Sequence, residues 1–110
     1  IVGASMGGMI AQHFAARHPQ RTLSLTSIFS TTGNPKLPPA RREAMEVLIR
    51  RPASMEEDAL VEHGMLLART IGSPGYPADP QRLRANVTAN VRRSVYPEGP
   101  TRHLAAIVAD

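Results

Sequence analysis

The stretch IVGASMGG at residues 1–8 decides the fold. Its first four residues are apolar and run into small residues, which predicts the end of a buried β-strand followed by a sharp turn. From Met9 onward, apolar residues recur at helical spacing until Pro19, which ends the helix. Gly3-Ala4-Ser5-Met6-Gly7 matches the pattern G-x-S-x-G between a strand and a helix, a context that is typical of a nucleophile elbow.

The chemistry of such an elbow explains its residue types. The sharp turn lifts the Ser5 hydroxyl above the sheet edge, and the backbone N–H of Met6 points toward a developing oxyanion. Gly3 and Gly7 are expected to be small because strand and helix nearly touch there, and Gly8 lets the helix pack closely on the sheet. The structural alternative is that Ser5 is only a helix N-cap. A phosphate-binding loop is excluded, because neither Gly-Lys-Ser/Thr nor G-x-G-x-x-G follows the strand.

The rest of the chain predicts one more strand and then helices. Residues 21–30 are rich in Leu, Ile, Thr and Ser and predict a second strand, which makes a right-handed parallel crossover unit. Residues 31–39 contain three prolines together with Gly33 and Asn34, and predict a loop. Ser54 and Glu57 predict a capping box, and Asp79-Pro80 predicts an N-cap followed by a first-turn proline. Four helices are expected, at residues 40–51, 54–71, 80–95 and 101–109, with breakers at residues 97–100.

The composition fits a folded domain, with 110 residues, 42% of them hydrophobic and 20% charged. The absence of cysteine excludes disulfide scaffolds and thiolate sites. The net charge is +4, but the arginines come as scattered pairs without interleaved aromatic residues, so we expect solvated helix faces and no nucleic-acid partner. Neither a bilayer-spanning apolar run nor a signal peptide is present, so we expect a cytoplasmic protein without a membrane partner.

The pattern also predicts a piece of a longer protein. The chain opens with Ile1 rather than Met, already inside an apolar segment. Two parallel strands leave both outer edges unpaired, whereas parallel sheets normally lie in larger layers that are covered on both faces. We therefore expect the central part of a longer α/β protein, which is inactive and poorly folded when expressed alone.

Residues 1–28, IVGASMGGMIAQHFAARHPQRTLSLTSI, resemble the elbow, the following helix and the next strand of the α/β-hydrolase superfamily. Three further stretches resemble the helical cap of bacterial serine esterases of the aclacinomycin methylesterase type: STTGNPKLPP (30–39), GSPGYPAD (72–79) and SVYPEGPTRHLAAIVAD (94–110). The resemblance implies an α/β fold with a partial hydrolase core at residues 1–34, a helical cap at residues 35–100 and a helix returning to the core at residues 101–110.

The resemblance also implies site residues. It places the nucleophile at Ser5 and one oxyanion donor at the backbone N–H of Met6. The second oxyanion donor of the family precedes the elbow strand, and its catalytic acid and histidine follow strands that would come after Asp110. None of these three groups therefore maps onto this sequence.

The remaining titratable residues are expected to be structural. His13 lies eight residues beyond Ser5, about 12 Å along a helix, and His18 lies farther still, so neither reaches the Ser5 hydroxyl. His63 and His103 are expected at a surface or between helices, and Asp58 and Asp79 at helix termini. No metal-ligand spacing occurs. One group of apolar residues in the predicted helices has two possible roles, which are packing between helices and lining an apolar substrate pocket. These are Met45, Met55, Met65, Leu66 and Leu67.

The function that follows is hydrolysis of a small-molecule carboxylic ester through an acyl-enzyme on Ser5, without a cofactor. Two alternatives use the same scaffold: a carbon–carbon bond hydrolase or a cofactor-free perhydrolase, and a non-catalytic binding module. The sequence fixes neither the substrate nor the oligomeric state.

Overall fold

A computed structural model describes residues 1–109 and contains two parallel strands and five α-helices within them. The elements are β1 (Val2–Ala4), α1 (Met6–Arg17), a 3₁₀ turn (Pro19–Arg21), β2 (Thr26–Ile28), α2 (Arg42–Ile49), α3 (Glu57–Ile71), α4 (Pro80–Arg93) and α5 (Gly99–Ala109). This order confirms the predicted α/β class. None of the helices in residues 1–109 has both the length and the apolar character needed to cross a bilayer.

The chain divides into two compact units. The first comprises Ile1–Pro38 together with the segment that begins at Pro97, and the second is Pro39–Tyr96. In the first unit β1 and β2 pair in parallel, with Gly3 opposite Ser27 in the register, and α1 packs on both strands. Ala11 on α1 is the buried apolar side chain of this packing.

The second strand is shorter than the sequence predicts. Of residues 21–30, only Thr26–Ile28 form β2. Pro19–Arg21 form a 3₁₀ turn instead, and β1 offers only three residues for pairing. High strand propensity outside the paired residues does not make a strand, because a strand is stabilised by its cross-strand neighbours. Leu23, Leu25 and Phe29 lie outside the paired residues and are exposed.

In the second unit α3 packs against α2 and α4. Val61 and Met65 on α3 are the buried apolar residues, and Met65 is only 1% exposed. The packing interpretation is therefore confirmed for Met65. The other residues of the predicted apolar group are exposed or half-buried, namely Met45, Met55, Leu66 and Leu67.

The capping box predicted at the start of α3 is wrong. The Ser54 hydroxyl accepts a hydrogen bond from the Glu56 N–H at 3.2 Å, and the helix begins only at Glu57. The Glu57 carboxylate does not reach back to the helix start, because it accepts hydrogen bonds from the Arg92 guanidinium on α4 at 2.7–3.1 Å. These hydrogen bonds also hold the pKa of Glu57 below its usual value.

The other predicted helices are confirmed, with shifted ends. Asp79 caps α4 as expected, since its Oδ1 accepts a hydrogen bond from the Arg82 N–H at 2.7 Å. The helix predicted at residues 40–51 loses two residues at each end, and α4 ends at Arg93 rather than at residue 95. The break predicted at residues 97–100 is wrong for its second half: Gly99 and Pro100 open α5, where a first-turn proline forfeits no helical hydrogen bond.

The packing of α3 on α4 predicts that Gly64→Ala is destabilising. A Cβ at Gly64 would lie 2.7 Å from Val87 Cγ1, and a β-branched side chain on a helix has little freedom to swing away. The helix-propensity gain of alanine, about 1 kcal/mol, is outweighed, and we expect a net loss of about 1–2 kcal/mol in urea unfolding. The double variant Gly64→Ala/Val87→Ala should then lose less than the sum of the single variants; strict additivity would contradict the steric explanation.

Candidate active site

Ser5 lies between the end of β1 and the start of α1, and its backbone is strained. Its φ is 52° and its ψ is −125°, a combination that costs a non-glycine residue about 1–3 kcal/mol. The Ser5 N–H is held by the Ile28 carbonyl at 3.0 Å, and the residue is exposed. A sharp, strained turn with an accessible serine is the geometry that the G-x-S-x-G pattern predicts.

The Ser5 hydroxyl is not used by the helix. Ser5 occupies the N-cap position of α1, but its side chain makes no capping hydrogen bond, so the N-cap alternative does not account for it. Its carbonyl accepts hydrogen bonds from the N–H groups of Gly8 at 2.9 Å and Met9 at 3.3 Å. The N–H groups of Met6 and Gly7 open the helix and have no carbonyl partner within α1. They carry the partial positive charge of the helix start, beside the hydroxyl.

The three glycines of the elbow have different roles. A Cβ at Gly3 would lie 2.1 Å from the Gly7 carbonyl oxygen, so strand and helix do nearly touch at Gly3. A Cβ at Gly8 would lie 2.6 Å from Ser30 Cβ, which confirms the close approach of the helix to the residues after β2. The expectation for Gly7 is wrong: a Cβ there would meet nothing within 4 Å, because this side of α1 faces an open groove.

Sequence reasoning missed the polar side chains around the elbow. The Ser30 hydroxyl donates a hydrogen bond to the Ser5 carbonyl at 2.8 Å. The Gln12 amide lies within 3.2 Å of both the Gly8 carbonyl and the Ser27 hydroxyl, and 3.1 Å from the Thr31 carbonyl. The signal was available, because the carboxyl ends of neighbouring parallel strands meet at one sheet edge, where the polar residues 27, 30 and 31 fall.

The histidines and aspartates of residues 1–109 lie within the helices or at their ends. His13 lies in α1. At the end of that helix the His18 ring packs on the Phe14 ring, with 4.8 Å between the ring centroids. His63 belongs to α3 and His103 to α5. As expected, Asp58 lies in the first turn of its helix, and Asp79 is an N-cap; Asp110 lies outside the described residues. Within residues 1–109, no three His, Asp or Glu side chains are grouped to hold a metal ion.

The comparison with protein families agrees with this geometry. The family described as alpha/beta hydrolase fold matches residues 1–103, which include the elbow, both strands and α1 to α4. No curated protein matches the chain. The match covers nearly the whole sequence and supports a hydrolase-type scaffold. The chain belongs to the alpha/beta hydrolase fold family.

Proposed function

We propose that the protein is a serine hydrolase that cleaves carboxylic esters of small molecules through an acyl-enzyme on Ser5. The observation that carries the proposal is the Ser5 hydroxyl itself. Ser5 is exposed on a strained turn at the start of a helix, and its hydroxyl makes no capping hydrogen bond to that helix. Strain of this kind persists where function requires it.

The chemistry follows from the positions of the two groups. The Ser5 oxygen attacks the acyl carbonyl, and the Met6 N–H hydrogen-bonds the oxygen that becomes negative in the tetrahedral intermediate. The alcohol then leaves, and water hydrolyses the acyl-enzyme. A positioned N–H donor of this kind contributes about 10²–10³-fold to the rate.

The mechanism also needs a general base for the Ser5 proton, and His13 and His18 do not supply it. His13 lies about 12 Å along α1 from Ser5, and His18 packs on Phe14 at the far end. We propose that the histidine and its carboxylate partner come from outside these 110 residues. The exposed apolar side chains of Val2 on β1 and Ile28 on β2 fit a parallel sheet whose faces are covered by further parts of a longer protein.

A relationship to bacterial esterases of the aclacinomycin methylesterase type is part of this proposal, without a particular substrate. Its support is the sequence of the second unit and of the segment after it. In this resemblance the helices α2, α3 and α4 correspond to the helical cap. The partly exposed Met45, Met55 and Leu66 are apolar surface of the kind that lines an acyl or alcohol pocket.

The test treats the full-length protein with a fluorophosphonate probe and maps the adduct by mass spectrometry. We expect one adduct, on the peptide that contains Ser5, and turnover of p-nitrophenyl esters. An adduct without ester turnover, together with cleavage of vinylogous diketones, would point to a carbon–carbon bond hydrolase instead. An unlabelled Ser5 in the folded protein would contradict the proposal and leave a non-catalytic module.

A further inference from the structure

The segment after β2 holds both backbone polar groups of Ser5. The Ile28 carbonyl accepts the Ser5 N–H at 3.0 Å, and the Ser30 hydroxyl donates to the Ser5 carbonyl at 2.8 Å. Phe29 lies between these two residues with a φ of 36°, a strained value for a residue with a side chain. Such strain persists only where the surroundings fix the backbone, so residues 28–30 form a rigid clamp on Ser5.

The clamp determines where the Met6 N–H points. The peptide bond between Ser5 and Met6 is trans and planar, so the Ser5 carbonyl and the Met6 N–H point in opposite directions. Fixing the carbonyl therefore fixes the N–H. Gly8 and Met9 also donate to this carbonyl, at 2.9 and 3.3 Å, but they belong to α1 itself. The Ser30 hydroxyl ties the same oxygen to a different element.

Ser30 is itself closely held. It is half-buried, and a Cβ at Gly8 would lie 2.6 Å from its Cβ, so the absence of a side chain at Gly8 allows the approach. The Gln12 amide contacts the Ser27 hydroxyl and the Thr31 carbonyl on either side of the clamp. The position of Ser30 is thus set by its close approach to Gly8 on α1 and by β2, whereas the hydrogen bonds of Gln12 go to the residues on either side.

We propose that Ser30 is a positioning residue for ester hydrolysis: its hydroxyl locks the Ser5–Met6 peptide plane and so aims the Met6 N–H at the developing oxyanion. This inference rests on the proposed function. The Met6 N–H is needed in the transition state and not for binding the ester. A Met6 N–H that no longer points at the oxyanion therefore lowers kcat and leaves KM unchanged.

The experiment compares Ser30→Ala, Ser30→Thr and Gln12→Ala in the full-length protein. Ser30→Ala removes the hydroxyl, and Ser30→Thr keeps it. Gln12→Ala removes the hydrogen bonds to the flanking Ser27 and Thr31, and leaves in place the hydrogen bonds that join Ile28 and Ser30 to Ser5. The measurements are kcat and KM for a p-nitrophenyl ester, normalised to the active sites counted by fluorophosphonate titration, and the midpoint of urea unfolding.

We expect Ser30→Ala to lower kcat per active site by about 10–100-fold, part of the loss seen when an oxyanion donor is removed, with KM within about twofold of the wild type. Ser30→Thr should restore most of kcat. Gln12→Ala should lower the unfolding midpoint and leave kcat per active site near the wild-type value. A purely structural role of Ser30 would instead reduce the number of active sites at constant kcat per site.

The outcomes separate this inference from the proposed function. If the wild type labels on Ser5 and turns over esters, but Ser30→Ala keeps kcat per active site, the Ser30 inference is overturned and the esterase proposal stands. The Ser30 inference is also overturned, and the esterase proposal stands, if Gln12→Ala lowers kcat per active site as strongly as Ser30→Ala. If Ser5 of the wild type is not labelled, both are overturned.

Discussion

Replacing Ser5 by alanine in the full-length protein is expected to abolish acyl-enzyme formation and to lower kcat for ester hydrolysis by about 10⁴–10⁶-fold. The reason is that the alanine methyl group cannot attack a carbonyl, whereas the Met6 N–H and the substrate pocket remain. The residual rate should not respond to the fluorophosphonate probe. Steady-state kinetics with a p-nitrophenyl ester, together with labelling, measures both effects.

Ser5→Gly is the matched variant, because it removes the same hydroxyl and also the strain. Glycine adopts a positive φ without the steric cost that Ser5 bears at 52°. We expect Ser5→Gly to be as inactive as Ser5→Ala but about 1 kcal/mol more stable than Ser5→Ala in urea unfolding, after allowing for the greater freedom of glycine in the unfolded chain. Equal stability of the two variants would contradict the strain at position 5, and retained turnover would contradict the nucleophile.

The elbow could be predicted from the sequence because its cause is local. A sharp turn between a strand and a helix needs small residues at set positions, and a Cβ added at Gly3 or Gly8 would lie less than 3 Å from atoms of another segment of the chain. The same pattern wrongly predicted that the residue at position 7 must be small. The spacing of a motif does not tell which side of a helix faces open space, and Gly7 lies on such a side.

What the sequence did not reveal depends on contacts between distant residues. The predicted capping box failed because Arg92, 35 positions away, binds the Glu57 carboxylate. β2 is shorter than the predicted strand because only three of its residues pair with β1. The polar residues after β2 indicate which sheet edge they share, but the hydrogen bond from Ser30 to the Ser5 carbonyl was missed because the backbone beside Ser30 has a positive φ at Phe29, which a phenylalanine does not indicate.

The largest expected loss of stability belongs to Gly3→Ala. A methyl group there would lie 2.1 Å from the Gly7 carbonyl oxygen and 2.4 Å from its carbon, both of them backbone atoms that cannot rotate away. Relief requires β1 and the first turn of α1 to separate, which breaks the geometry around Ser5. Overpacking that must be relieved by a backbone shift costs about 3 kcal/mol or more. Urea unfolding of the full-length protein measures the loss.

Gly7→Ala is the control, since it adds the same methyl group four residues along the same elbow. Nothing lies within 4 Å of a Cβ at Gly7, and alanine favours a helix over glycine by about 1 kcal/mol. We therefore expect Gly7→Ala to match or exceed the wild type in stability. A comparable loss in both variants would mean that the elbow needs small residues on both sides of Ser5, and the contrast drawn from the contacts of Gly3 would then be wrong.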